Sequence, residues 1–168
     1  MTGNLAWLNT LPAGEAVKEL LQCCGSKRWA DEMASRRPFP SVEAVMGTAG
    51  DIWWSLSPDD WLEAFRSHPK IGERKAAGAV SAQSREWSGQ EQAGVSEASK
   101  ETADSLAALN REYEQKFGFI FIICATGKSS EEMLAALRER LNNDPRAELR
   151  IAAGEQSKIT ELRLRKLI

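Results

Sequence analysis

The chain has 168 residues, of which 42% are hydrophobic, and it carries a formal net charge of −2 at pH 7. This length is enough for one domain with its own hydrophobic core. The slightly acidic balance and the absence of a basic stripe argue against nucleic-acid binding, and no apolar run approaches the roughly 20 residues of a membrane span. We therefore expect one domain over residues 1–168, with no nucleic-acid or membrane partner.

The first part of the chain has the pattern of four successive helices. Thr10, Ser41 and Ser57 are predicted to cap the first, third and fourth of these helices. The fourth helix must end near His68, because Pro69 disfavours helical backbone at the residue before it. The predicted ranges are residues 10–24, 26–35, 41–54 and 57–68.

The rest of the chain is predicted to be helical apart from two segments. Residues 70–86 lack apolar periodicity and indicate a surface loop. Ser88 and Glu91 then have the spacing of a capping box that opens a helix, and a long helix follows that ends at Gly118. Residues 119–125 have the composition of a strand without a partner strand, which favours a buried extended segment. Two more helices are predicted to start at Ser129 and Asp144. The prediction is an all-α, compact multi-helix domain with one buried extended segment.

The cysteines and glycines bear on metals and cofactors. Cys23, Cys24 and Cys124 form an odd set without CxxC spacing, which indicates free thiols in a reducing compartment. Three scattered cysteines and one histidine do not supply the four ligands of a structural zinc site. No glycine pattern matches a phosphate-binding loop. We therefore expect no metal and no nucleotide cofactor.

His68 is the only histidine, so a mechanism that needs an imidazole near neutral pH has one candidate. Two structural roles also fit this residue. It could be a favourable cation at a helix C-terminus, or a core residue with a satisfied hydrogen bond. The residues alone leave these alternatives open.

Four motifs in this order resemble a known family. They are the His-Pro-Lys-Ile-Gly segment at 68–72, the Trp-Ser-Gly-Gln-Glu-Gln segment at 87–92, the phenylalanine-rich run at 119–125 and the closing Lys-Ile-x-x-Leu-Arg-Leu at 158–164. Together they resemble the decarboxylases of urate degradation, which act on 2-oxo-4-hydroxy-4-carboxy-5-ureidoimidazoline (OHCU) and form (S)-allantoin. The resemblance implies an all-helical, cofactor-free and dimeric carboxy-lyase with this small molecule as its substrate.

The resemblance also implies which residues form the site. His68 and Glu91 would be catalytic. The residues implied to bind substrate are Pro69, Ser88, Gly89, Gln90, Glu91, Gln92, Ile122, Ile123, Cys124, Ala125, Thr126 and Arg163. Arg163 matches the family's C-terminal arginine better than Arg165 does. The chain departs from the family after Ala125, where Thr126-Gly127-Lys128 stands in place of a frequent arginine.

Two other functions remain open on the sequence. A hydrolase of a related ureido-imidazoline substrate would need an activated water, and the chain has no obvious metal ligands for one. A non-catalytic helical interaction module would use His68 and Glu91 only as capping or core groups. Mutation of His68 to alanine separates an enzyme from such a module, because only an enzyme loses turnover while it stays folded.

The chain ends give an expectation for location. Some relatives in the family are peroxisomal, and a Ser-Lys-Leu tripeptide at the C-terminus is the address for that organelle. This chain ends in Lys166-Leu167-Ile168, and its first residues lack a secretory pattern. We therefore expect a soluble cytoplasmic protein.

Overall fold

A computed structural model of the chain describes residues 4–71, 82–96 and 98–168. Within these ranges there are ten α-helices and no β-strand, so the predicted all-α fold class is confirmed. The helices are α1 (Leu5–Thr10), α2 (Ala13–Cys23), α3 (Lys27–Ser35), α4 (Val42–Ser55), α5 (Pro58–Phe65), α6 (Ala82–Glu91), α7 (Ala93–Ser96), α8 (Lys100–Phe117), α9 (Ser130–Arg140) and α10 (Pro145–Leu167).

Contacts between Cα atoms divide the chain into two compact units. The first unit comprises Met1–Ala64 and Ser157–Ile168, and the second comprises Phe65–Gln156. Helix α10 contributes residues to both units. The expectation of a single domain over the whole chain stays a prediction.

The first unit is built from helices whose starts follow the capping rules. Ser26 and Ser41 accept hydrogen bonds from main-chain N–H groups three residues ahead and cap α3 and α4. Ser57 and Asp60 exchange hydrogen bonds at the start of α5, as in a capping box. Helix α3 packs against both α2 and α4. The largest fully buried side chains of this unit are Leu8, Leu20, Trp29, Met33, Ile52 and Leu164.

The predicted role of Thr10 is wrong. Thr10 ends α1, where its hydroxyl donates to the Trp7 carbonyl, and α2 begins at Ala13 without a side-chain cap. Helix α1 is capped by Asn4, whose side chain accepts from the Trp7 N–H. This short helix has one buried residue and therefore no apolar periodicity to announce it in the sequence.

The second unit has a core between α8, α9 and the extended segment. Helix α8 ends at Gly118 with φ of +80°, a left-handed conformation that favours glycine. The predicted capping box of Ser129 and Glu132 is present at the start of α9. The core of this unit consists of Ile71, Leu106, Tyr113, Phe121, Ile123, Ala125, Met133, Leu134 and Leu137.

The prediction for residues 70–86 is partly wrong and partly outside the described residues. Helix α6 begins at Ala82, so the predicted loop extends too far along the chain, and residues 72–81 are not described. The capping box predicted at Ser88 and Glu91 is also wrong, since both residues lie in the last turns of α6. The buried face of this helix is Ser84, Trp87, Ser88 and Glu91, which is mostly polar and hides the helical period from a hydrophobicity pattern.

Among the described residues, no helix combines the length and the apolar character needed to cross a bilayer. Helix α10 is the longest, with 23 residues, and charged side chains occur along its whole length.

Candidate active site

The imidazole of His68 is buried in the second unit. The residue is 8% exposed, and its Nε2 lies 2.6 Å from Oε1 of Gln156 on α10. Gln156 is completely buried. This contact joins two residues 88 positions apart, and it holds the ring at its tip.

The backbone around His68 is anchored as well. The His68 N–H donates to the Phe65 carbonyl, which closes a turn after α5. On the other side, the buried Asn110 of α8 donates its side-chain amide to the Ile71 carbonyl. Lys70 forms an ion pair with Glu114 of the same helix, at 2.9 Å. The histidine segment is therefore fixed at both ends, and Pro69 within it is buried.

Helix α6 places the residues of the second motif on two different faces. Ser88 and Glu91 are buried, each at 8% exposure or less, whereas Gly89 and Gln90 are exposed. Gln92 follows the helix and is half-buried. This separation follows from 3.6 residues per turn, because positions three apart share a face and the two between them do not. The structure brings Ser88 and Glu91 onto the same buried face.

The extended segment divides its side chains between two sides. Phe121, Ile123 and Ala125 belong to the core of the second unit. Ile122 and Cys124 are also buried but are not part of that core. Alternation is expected for an extended chain, in which successive side chains point in opposite directions. The segment therefore presents one side to the core and the Cys124 side to the polar groups described next.

Cys124 lies against a carboxylate of α10. Its N–H donates to Oε1 of Glu155 on α10, at 3.4 Å. Burial is the main reason that the pKa of the Cys124 thiol is raised, and the negative charges of Glu155 and, to a lesser extent, Glu91 add to it. The thiol is therefore neutral near pH 7. The second and third motifs both lie in the second unit.

Lys128 supplies a positive charge in the same neighbourhood. Its ammonium donates to the Cys124 carbonyl at 3.1 Å, and its N–H donates to the Ala125 carbonyl to close a turn. Gly127 in this turn has a φ of +78°, and Thr126 before it is exposed. Lys128 thus places a cation in the segment where the family's frequent arginine is missing.

Gly94 of α7 approaches the Lys128 turn very closely. A Cβ atom on Gly94 would lie 2.3 Å from the Lys128 carbonyl oxygen. We expect Gly94→Ala to lower the free energy of unfolding by about 1–3 kcal/mol, the usual cost of overpacking a rigid contact. Turnover should fall too, since the displaced turn carries Lys128. Urea unfolding followed by circular dichroism measures the first effect.

Gly47 in α4 is the matched control for this substitution. An added Cβ meets nothing within 4 Å at Gly47, so Gly47→Ala should raise stability by up to about 1 kcal/mol through helix propensity. Equal effects at the two positions would contradict the role of the close approach.

Arg163 belongs to the first unit, whereas the other predicted site residues belong to the second. It is 3% exposed, and its guanidinium donates to the Gln22 carbonyl at 3.1 Å. Arg165 is exposed and pairs with Glu161 one turn earlier on α10. Arg163 is therefore the buried one of the two arginines, and its assignment to the site stays a prediction.

Sequence reasoning missed two neighbours of the predicted site. Glu155 and Gln156 lie next to each other on α10 and contact Cys124 and His68, respectively. The sequence contains only a weak indication of these two contacts. Buried polar residues within an amphipathic helix need partners, but the sequence does not tell which residues of the helix are buried.

Within residues 4–71, 82–96 and 98–168, no group of three or more His, Cys, Asp or Glu side chains could hold a metal ion. The polar groups that the second unit contributes are instead one imidazole, two carboxylates, one ammonium and one amide. They come from His68, Glu91, Glu155, Lys128 and Gln156. Such a set can exchange protons and hydrogen-bond a small polar molecule.

Comparisons with known proteins agree on one family. The family model described as OHCU decarboxylase matches residues 9–165. The uric acid degradation bifunctional protein TTL of Arabidopsis thaliana is 46% identical over 146 residues, covering 86% of this chain and 45% of that protein. The chain thus spans less than half the length of this relative. The 2-oxo-4-hydroxy-4-carboxy-5-ureidoimidazoline decarboxylase of Amia calva is 36% identical, covering 80% of this chain and 76% of that protein.

A solved structure gives the same result. A crystal structure of OHCU decarboxylase in the presence of (S)-allantoin matches with a TM-score of 0.77 and 42% sequence identity. The match covers 89% of this chain and 96% of that one. The family resemblance predicted from the four motifs is confirmed. The chain belongs to the OHCU decarboxylase family.

Proposed function

We propose that this chain is a cofactor-independent carboxy-lyase that converts OHCU to (S)-allantoin in urate degradation. The observation that carries the proposal is the likeness to a solved OHCU decarboxylase, at 42% identity over 96% of that chain. The buried imidazole of His68 and the buried carboxylate of Glu91 in one unit support it further. A proton-transfer group and a charged acceptor are what this reaction needs.

The chemistry of the reaction explains why these two groups are needed. The substrate carries a carboxylate on a ring carbon that also bears a hydroxyl group. When the bond between that carbon and the carboxylate breaks, carbon dioxide leaves and the electron pair passes into the ring as an enolate-like species. A proton added to one face of the ring then gives a single enantiomer. The protein must orient the breaking bond, stabilise the developing charge and control the proton.

We assign these tasks to the residues of the site. His68 would exchange the proton with the substrate. Glu91 would accept hydrogen bonds from ring or ureido N–H groups, because a carboxylate is an acceptor only. Lys128, whose ammonium contacts the Cys124 carbonyl, would offset the developing negative charge. The further substrate-binding groups that we propose are Pro69, Ser88, Gly89, Gln90, Gln92, Arg163 and the main chain of residues 122–126.

The activity can be tested directly. OHCU is unstable, so it is generated from urate in situ by the upstream enzymes, and the formation of (S)-allantoin is followed by circular dichroism. The proposal predicts that the full chain accelerates the signal and the release of carbon dioxide together. A hydrolase of a related ureido-imidazoline substrate would not accelerate the release of carbon dioxide, and a non-catalytic module would change neither rate.

Glu91→Gln is expected to lower kcat/KM by about 10- to 100-fold, the value of a hydrogen bond to a charged group. The substitution keeps the size of the side chain but replaces an acceptor-only group by an amide that also donates. Stability should change little, since Glu91 does not cap a helix but ends α6. Kinetics and thermal unfolding of the same preparation measure both effects.

Glu86→Gln is the matched control, because Glu86 is an exposed acid of the same helix. It should leave both kinetics and stability near the values of the unchanged protein. Normal kinetics in Glu91→Gln would remove Glu91 from the site.

We also propose a homodimer and a cytoplasmic location. The dimer rests on the family resemblance alone. The location is supported by the cysteines, because Cys23, Cys24 and Cys124 are all buried as thiols and thiols persist in a reducing compartment. Light scattering of the purified protein tests the first proposal, and cell fractionation tests the second.

A further inference from the structure

The contact between His68 and Gln156 indicates which imidazole nitrogen carries a hydrogen. Oε1 of the Gln156 amide faces Nε2 of the imidazole at 2.6 Å. An amide oxygen accepts hydrogen bonds and cannot donate them. The hydrogen of this bond must therefore be on the imidazole, at Nε2.

We propose that Gln156 is a positioning residue that holds His68 as the Nε2–H tautomer. In the neutral ring only one nitrogen carries a hydrogen, and the hydrogen bond made by one nitrogen decides the state of the other. With Nε2 committed to Gln156, the lone pair is on Nδ1. Nδ1 is then the atom that exchanges a proton with the substrate, a step that rests on the proposed function.

The chemical nature of the partner fits this task. A neutral amide fixes the tautomer without a full negative charge, whereas a carboxylate in its place would favour the doubly protonated ring. A carboxylate is available one residue earlier, but Glu155 accepts from the Cys124 N–H. Of these two neighbours on α10, Glu155 thus accepts from the main chain of the extended segment, and Gln156 contacts the imidazole.

Burial and anchoring make the preference strong. Gln156 is fully buried and His68 nearly so, which limits competition from water for this hydrogen bond. The backbone before the ring is held by the bond from the His68 N–H to the Phe65 carbonyl, and the backbone after it by the bond from Asn110 to the Ile71 carbonyl. The ring can satisfy Gln156 only through Nε2, so a tautomer change would cost this bond.

The tautomer can be read without any assay of turnover. His68 is the only histidine, so the full chain labelled with ¹⁵N-histidine gives two ring-nitrogen signals that both belong to this residue. In the neutral ring, we expect Nε2 to resonate as the protonated nitrogen and Nδ1 as the unprotonated one. An Nδ1–H tautomer, or an even mixture, would overturn the proposal, and this measurement needs no variant.

Two substitutions of Gln156 test the cause. Gln156→Met has similar size but no acceptor oxygen, so the Nε2–H preference should weaken and kcat should fall about 5- to 10-fold, the value of one neutral hydrogen bond. Gln156→Glu keeps an acceptor and should keep hydrogen on Nε2. A folded Gln156→Met protein with the unchanged tautomer would contradict the role of Gln156. Gln115→Met, on the exposed side of α8, is the control and should leave tautomer and kcat unchanged.

The outcome separates the tautomer from the proposed reaction. If the unchanged protein has the Nε2–H tautomer but does not accelerate (S)-allantoin formation, the proposed function fails and the structural inference stands. If it makes (S)-allantoin with the Nδ1–H tautomer, the inference fails and the function stands.

Discussion

Replacing His68 with glutamine is expected to lower kcat by about 10²- to 10⁴-fold, the usual contribution of a general acid–base group. A glutamine amide can reach the position of Nε2 and donate to Gln156, so the buried contact is preserved. It cannot, however, take up and release a proton near neutral pH. The remaining product should also lose its excess of the (S) enantiomer, because an uncatalysed proton adds to both faces of the ring. Circular dichroism and chiral chromatography of the allantoin measure these two effects.

Stability decides how this result is interpreted. His68→Gln should unfold within about 1 kcal/mol of the unchanged protein, because one neutral hydrogen bond is exchanged for another. Arg66→Gln, at an exposed position two residues earlier, is the control and should be normal in both respects. An inactive His68→Gln that has also lost its fold would favour the structural roles of the histidine. Normal turnover would exclude it from catalysis.

Local chemistry explains why most of the fold could be predicted. Ser41, Ser57 and Ser129 each precede a helix with the pattern that a cap requires, and all three cap in the structure. Gly118 ends α8 because its φ is positive. These signals lie within a few residues of the feature that they determine, so one sequence is enough to detect them.

The same rules failed where polar residues are buried. Helix α6 buries Ser84, Ser88 and Glu91, so hydrophobic periodicity gave no sign of its first turns. The spacing of Ser88 and Glu91 matches a capping box, but these residues do not cap a helix. The same spacing also occurs when two polar residues lie on one buried face within a helix. The unusual burial of polar groups at this place is what an active site requires.

Contacts distant along the chain were beyond prediction. Gln156 lies 88 residues after His68, and nothing near either residue indicates the other. Glu155 lies 31 residues after Cys124 and reaches its N–H only through the path of α10. The motif resemblance implied His68 and Cys124 as site residues, but it gave no indication of Gln156 and Glu155, which contact them.

A buried ion pair behind the extended segment leads to the second large effect. Arg140 of α9 donates Nε to Glu148 at 2.7 Å and Nη1 to the Ile122 carbonyl at 2.7 Å, and its guanidinium lies over the Phe121 ring. Glu148 is completely buried and also accepts from the Tyr113 hydroxyl at 2.5 Å. Burial and this carboxylate raise the pKa of Tyr113 above its ordinary value. The network therefore ties α8, α9 and α10 to the segment that carries Cys124.

Arg140→Met is expected to lower the free energy of unfolding by about 3–5 kcal/mol, because it leaves the charge of Glu148 buried without its partner. Urea unfolding of the variant measures the loss, and Arg138→Met on the exposed side of α9 should cost less than about 0.5 kcal/mol.

The double variant Arg140→Met with Glu148→Gln should recover part of the loss, since it removes the orphaned charge. It should not recover turnover, because the Ile122 carbonyl still lacks the hydrogen bond from Arg140. The segment that carries Cys124 is then no longer anchored. Full recovery of activity together with stability would mean that the network supports the fold alone and does not position the site.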